Sequence, residues 1–153
     1  MSEPKLKNGE YVITHVATGY HPGLSVYATD QVVRLISGDQ GAYFFWELEK
    51  GTEDESYFLR LLVKDGVPAY AYAVDRNVML GGKCEWHIGP CSSTSSTYTV
   101  TPSQTPNLEW SMDNFIAVPG IPVAAAAITL HDRSEDPRER VWSEWRFRII
   151  TEY

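Results

Sequence analysis

Four short elements recur three times in the same order along this chain, and that repetition limits the fold more than any other feature. The first element is a Tyr with an aliphatic two residues on: Tyr11-Val12-Ile13, Tyr57-Phe58-Leu59 and Tyr98-Thr99-Val100. At that spacing the two side chains share one face of a strand. The second is an aromatic, a small residue, a variable residue and Asp: Tyr27-Ala28-Thr29-Asp30, Tyr72-Ala73-Val74-Asp75 and Trp110-Ser111-Met112-Asp113. The third is an aliphatic, any residue and Leu: Val33-Arg34-Leu35, Val78-Met79-Leu80 and Ile128-Thr129-Leu130. The fourth is a Trp strand: Trp46-Glu47-Leu48, Trp86-His87-Ile88 and Trp145-Arg146-Phe147. In the third copy the Leu element comes late, which marks Asn114 to Ala125 as an insertion.

Four strands taken three times make twelve. The openings stand 46 and 41 residues apart, a period that also suits propeller blades, but three blades cannot close a propeller. The pattern predicts one all-β domain over residues 1–153. Its expected architecture is a β-trefoil of twelve strands in three pseudo-symmetric four-strand repeats. One unit cannot bury its own Tyr, Leu and Trp, whereas three around an axis can, and closing the barrel removes exposed strand edges. A β-sandwich would not need four element types in the same order three times. Helix signals are weak. Ala124-Ala125-Ala126-Ala127 follows Pro119-Gly120-Ile121-Pro122 and runs into Ile128-Thr129-Leu130, which favours extended chain. Asp136-Pro137-Arg138-Glu139-Arg140 reads as one helical turn or a solvated loop.

Composition narrows the partners. The net charge of −7 argues against nucleic acid and anionic membranes, both of which need clustered Lys and Arg. No apolar run approaches the ~20 residues that span a bilayer. Met1-Ser2-Glu3-Pro4-Lys5-Leu6-Lys7 lacks the apolar block of a secretory signal, so a cytoplasmic, reducing location is expected. Cys84-Glu85-Trp86-His87-Ile88-Gly89-Pro90-Cys91 invites a metal reading. On a strand, however, Cys84 and His87 face opposite sides, and no fourth ligand is near. A buried free Cys84 beside Trp86 is expected, with a Cys84–Cys91 disulfide as the alternative. No metal and no cofactor are expected.

Catalytic motifs are absent. No Gly-x-Ser-x-Gly elbow and no phosphate-cradling Gly loop occurs, so the chain is not expected to be an enzyme. Asp30, Asp75 and Asp113 admit two readings: a carboxylate that clasps sugar hydroxyls beside an aromatic ring, or a turn cap. Three connections remain as recognition surfaces: Ala17 to Ser25 with Tyr20 and Leu24 outward, Ser37 to Tyr43, and Lys64 to Pro68. Loops on a rigid barrel suit insertion into another protein's cleft, because order in advance lowers the entropic cost of binding.

Gly9-Glu10-Tyr11-Val12-Ile13, His21-Pro22-Gly23 and Val26-Tyr27-Ala28-Thr29 resemble the start of the mycocypins, the mushroom cysteine-protease inhibitors of the clitocypin and macrocypin type. Cys84-Glu85-Trp86-His87-Ile88 and Trp145-Arg146-Phe147 resemble further segments of that family. The resemblance implies reversible inhibition of a papain-like cysteine protease by two loops wedged into its cleft. By position those loops are Pro22, Gly23 and Leu24, with Gly38, Asp39, Gln40 and Gly41. Ser25 and Val26 stand where family members carry glycines. The Lys64 loop has no Asn, so legumain inhibition is not implied, while Lys64 matches what a trypsin-like pocket accepts. Protease inhibition is therefore the expected function. The alternatives are a sugar-binding lectin that uses Asp30, Asp75 or Asp113, or an inhibitor of serine or aspartic proteases.

Overall fold

A computed structural model describes residues 6–28, 30–37, 41–63, 69–91, 97–112 and 126–153. Among them run thirteen strands: β1 (Gly9–His15), β2 (His21–Ser25), β3 (Arg34–Ile36), β4 (Ala42–Tyr43), β5 (Phe45–Lys50), β6 (Ser56–Leu61), β7 (Tyr70–Val74), β8 (Asn77–Gly81), β9 (Glu85–Pro90), β10 (Thr97–Pro102), β11 (Leu108–Met112), β12 (Ile128–Asp132) and β13 (Trp145–Glu152). One short helix, α1 (Pro137–Arg140), precedes a 3-10 turn at Val141–Ser143.

Six strands close into an antiparallel barrel. β1 pairs with β5 and β13, β5 with β6, β6 with β9, β9 with β10, and β10 with β13. The period-two pattern drives closure: Ile13, Trp46, Leu48, Tyr57, Leu59, Trp86, Ile88, Val100 and Trp145 are all at most 2% exposed. Three antiparallel pairs, β2–β3, β7–β8 and β11–β12, lie outside this ring. They meet through Val33, whose N–H donates to the Val78 carbonyl (2.9 Å) while its own carbonyl accepts from Ile128 N–H (2.9 Å).

Each barrel Trp is tied to a neighbouring strand. The Trp46 indole N–H donates to the Pro22 carbonyl (2.9 Å), Trp86 to Ala71 (2.8 Å) and Trp145 to Trp110 (3.1 Å). Trp110 sits among the three, with ring centroids 6.3, 5.4 and 5.6 Å from Trp46, Trp86 and Trp145. A buried aromatic of ~200 Å² at ~25 cal/mol/Å² contributes on the order of 5 kcal/mol, so these four rings dominate the core. The Tyr11 and Tyr57 hydroxyls donate to the Lys7 and Leu6 carbonyls (2.7 and 2.8 Å).

The expected β-trefoil of twelve strands in three equal four-strand repeats is corrected. The structure has thirteen strands among the described residues, distributed unequally. Phe44 interrupts the run before Trp46, so β4 pairs with β2 while β5 pairs with β1. That gives the first unit an extra strand. The third unit carries α1 and the 3-10 turn between β12 and β13, a segment without a counterpart in the other two. What stands is an all-β molecule on a closed six-stranded antiparallel barrel with little helix. α1 is a single turn, as read from Asp136 to Arg140: the Asp136 side chain caps it by accepting from Arg138 N–H (3.0 Å).

Candidate functional site

Pro22 and Gly23 are buried in β2 rather than carried on a loop. Pro22 presents its carbonyl to Trp46. A Cβ on Gly23 would collide with the Tyr43 carbonyl oxygen and lie 2.7 Å from Ile36 Cδ1. This is the close backbone approach that a strand glycine permits. Leu24 is half-buried against the core, as is Tyr20. Gly41 accepts from Val26 N–H (2.8 Å). Gly38, Asp39, Gln40, Lys64 and Asp113 lie outside the described residues. Asp30 is engaged locally: it accepts from Val32 N–H (3.2 Å) and from Arg34 (3.1 Å). These two bonds, the backbone one first, hold its carboxyl below the usual carboxylate range. Tyr27, three residues earlier, is 84% exposed.

Asp75 is placed differently. It occupies the turn between β7 and β8 at φ +56°, a left-handed conformation that Asp tolerates. Its carboxylate is exposed and meets no partner among the described residues. It lines a groove of about 580 Å³ whose other walls come from Thr52, Phe58, Lys83, Glu85 and the Ser103–Thr105 turn. Strand alternation aims this set outward: Tyr57 and Leu59 point into the barrel, so Phe58 points away. The β6–β9 register sets Glu85 opposite Phe58. Tyr70 meets Phe58 edge-on at 6.4 Å, and Lys83 Nζ lies 4.9 Å from the Phe58 centroid. Glu85 accepts from Thr52 N–H and Thr52 Oγ1 (2.5 and 2.8 Å), bonds that keep its carboxyl below the ordinary range, the backbone one first. The groove thus offers one free carboxylate, one aromatic ring, and hydroxyl and amide groups from Ser103, Gln104 and Thr105. Such a set can accept and donate hydroxyl hydrogen bonds beside an apolar ring face.

The fold is shared with two solved lectins. The Rhizoctonia solani agglutinin superposes with a TM-score of 0.72 over 97% of this chain and 100% of that one, at 13% identity. A Macrolepiota procera ricin B-like lectin, solved in complex with lactose, gives 0.70 over 96% and 99%, at 15% identity. Cry35Ab1 gives 0.70 over 97% of this chain at 14% identity, and the chain spans 37% of its length. At these identities the likeness is one of fold. No family model and no curated protein sequence matches the chain, so the resemblance to the mycocypins rests on the quoted motifs alone.

Among the described residues, no group of three His, Cys, Asp or Glu could hold a metal ion. No helix among the described residues is long and apolar enough to cross a membrane. Cys84 and Cys91 are both free and half-buried, and burial pushes both thiols up. Of the groove residues, only Asp75 is a sugar-site candidate from the sequence; Cys84 stands out there only for metal or disulfide chemistry. Phe58 and Glu85 lie inside the quoted strand motifs but are not assigned a role by them. Their one signal is that they alternate with buried neighbours on strands that pair only when the barrel closes.

Proposed function

We propose that this protein binds carbohydrate through the groove bounded by Asp75 and Phe58, and that it acts by binding, without a reaction or a cofactor. The observation that carries the reading is the Asp75 carboxylate, without a partner among the described residues, beside the outward Phe58 ring. A carboxylate accepts two sugar hydroxyls at once, and such charge-assisted bonds are the strong ones. The ring covers the apolar face of the pyranose. The shared fold with two lectins supports a sugar-binding scaffold, and the groove's own chemistry favours a neutral, hydroxyl-rich ligand. The protease-inhibitor reading has less support, because Pro22 and Gly23 are buried in β2 and Gly23 packs against Tyr43.

A glycan array followed by titration of the best ligand tests this. Binding of a neutral glycan is expected. Asp75→Asn, which tolerates the left-handed turn, should weaken it by about tenfold or more. Phe58→Leu should weaken it comparably, while Asp30→Ala leaves it unchanged. An empty array with folded protein, alongside inhibition of papain, would return the protein to the inhibitor class.

A further inference from the structure

The outward residues of β9 do not end at the Asp75 groove. Beyond Glu85 come His87 and Gly89, and across β10 the register sets Thr101 opposite His87 and Thr99 opposite Gly89. Here a second groove of about 740 Å³ opens, walled by Glu55, His87, Thr99, Thr101, Arg133 and Arg140, with Pro106 at its edge. We propose that this second groove takes a sugar bearing a carboxylate, a uronic acid in chemical class, with Arg133 as the group that reads the acid. The proposal rests on the carbohydrate reading only for the polyol part of the ligand.

Three observations lead there. First, the two guanidinium groups are not equivalent. The Arg140 guanidinium is bonded to the buried Glu109 carboxylate and so is neutralised from beneath. His87 Nε2 lies 3.4 Å from Glu55 Oε2. The Arg133 side chain has no partner among the described residues, while its backbone N–H is held by the Asn107 carbonyl (3.2 Å). A planar guanidinium with five donors and no acceptor to meet is matched by a carboxylate in a bidentate pair. Second, Glu55 is held at φ +61°, a backbone conformation unfavourable for a residue with a side chain. Strain of that kind collects at ligand sites, and here it leaves Glu55 facing His87 in the groove. Third, the floor beside this pair is a glycine. A Cβ on Gly89 would lie 3.1 Å from His87 Nε2 and 3.5 Å from Glu55 Oε2, so any side chain there would crowd the space.

Charge fixes the ligand's orientation. Glu55 and Glu144 both line the groove and would repel an anion lodged against them, but they accept hydroxyl protons well. The acid group therefore belongs at Arg133, and the ring hydroxyls at Glu55 and Thr101. The net charge of −7 does not forbid an anion, because repulsion from distant carboxylates is screened beyond ~8 Å at physiological ionic strength.

The test is an amide-resolved NMR titration of the whole chain with three probes: a methyl glucuronoside, its uncharged methyl ester, and a neutral methyl glycoside found on the array. The glucuronoside should move the His87, Gly89, Thr99 and Thr101 amides and bind about tenfold more tightly than the ester. In Arg133→Gln that preference should vanish, while the response of Lys83 and Glu85 to the neutral glycoside stays intact. Absence of shifts at these four amides into the tens of millimolar overturns the proposal. So does equal affinity for acid and ester, or a preference that survives Arg133→Gln. Loss of the neutral response alone, with the acid response intact, would remove the first groove's reading and leave this one standing.

Discussion

Arg140, on the helical turn before β13, donates to Glu109 on β11, whose side chain is 2% exposed. This ion pair pins α1, the only α-helix among the described residues, to the sheet beneath it. A buried pair contributes little net stability, because desolvation offsets most of the attraction, but breaking it strands a charge. Arg140→Met is therefore expected to destabilise the fold by about 3–5 kcal/mol, and Glu109→Leu by a comparable amount. The double variant should recover most of that loss. Urea unfolding midpoints of the four proteins measure it. Additive losses in the double variant would show that the two groups are not coupled.

The two central Trp residues should respond unequally to loss of the indole N–H. Trp46 and Trp110 are both fully buried. Trp46 donates to the Pro22 carbonyl, whereas the Trp110 N–H has no acceptor among the described residues and sits edge-on among the other indoles. Replacement by Phe removes similar volume at each site. Only Trp46→Phe also leaves a buried carbonyl unpaired, which costs about 1–3 kcal/mol. Trp110→Phe is thus expected to be the milder change by roughly that amount. Denaturant titration followed by far-UV circular dichroism reads the difference.

His15 predicts how stability falls in mild acid. It is fully buried, with Nε2 2.8 Å from the Trp142 carbonyl and Nδ1 2.9 Å from Thr18 Oγ1, and its ring lies 4.6 Å from Trp145. Burial drives its pKa below the ordinary 6.5, against the smaller opposing effect of the Trp142 carbonyl. The folded state therefore keeps His15 neutral in a range where the unfolded chain binds a proton. Stability is full above about pH 6.5 and declines as pH falls below it, down to the folded-state pKa, by up to ~1.4 kcal/mol per pH unit. His15→Gln should flatten that slope below about pH 6.5 while lowering stability overall. At lower pH, Asp30, Glu85 and Asp136 take over. Their depressed pKa values stabilise the fold above the usual carboxylate range, and that contribution is lost as they protonate.

The barrel is legible in the sequence where inward residues alternate. Tyr11 and Ile13, Tyr57 and Leu59, Tyr98 and Val100 mark three of its six strands, and Trp46, Trp86 and Trp145 mark the other three. β2 is hidden because Pro22 and Gly23 read as loop punctuation. Pro has no N–H for a ladder, and Gly has no side chain to pack. Here Pro22 needs only its carbonyl, and Gly23 lets Tyr43 approach. The site is hidden for another reason. Asp75 is visible as a turn residue, but its neighbours Phe58 and Glu85 become adjacent only through the β6–β9 pairing, a long-range event that no local spacing encodes. Asp30 and Asp75 look alike in sequence. They differ because Arg34 occupies the first carboxylate, whereas no described residue reaches the second.

Lys83 offers the sharpest test of how the first groove works. Its ammonium lies 4.9 Å from the Phe58 centroid and 5.5 Å from that of Tyr70, and 3.9 Å from a Glu49 carboxylate oxygen. The side chain thus covers the ring that a sugar would use, and stacking requires it to move aside. An exposed cation–ring contact contributes about 0.5–1 kcal/mol. Lys83→Ala removes that competition and should tighten neutral-glycan binding by about two- to fivefold. Calorimetric titration at two salt concentrations checks the direction. Weaker binding in the variant would instead assign Lys83 as a hydrogen-bond donor to the sugar and move the stacked face away from Phe58.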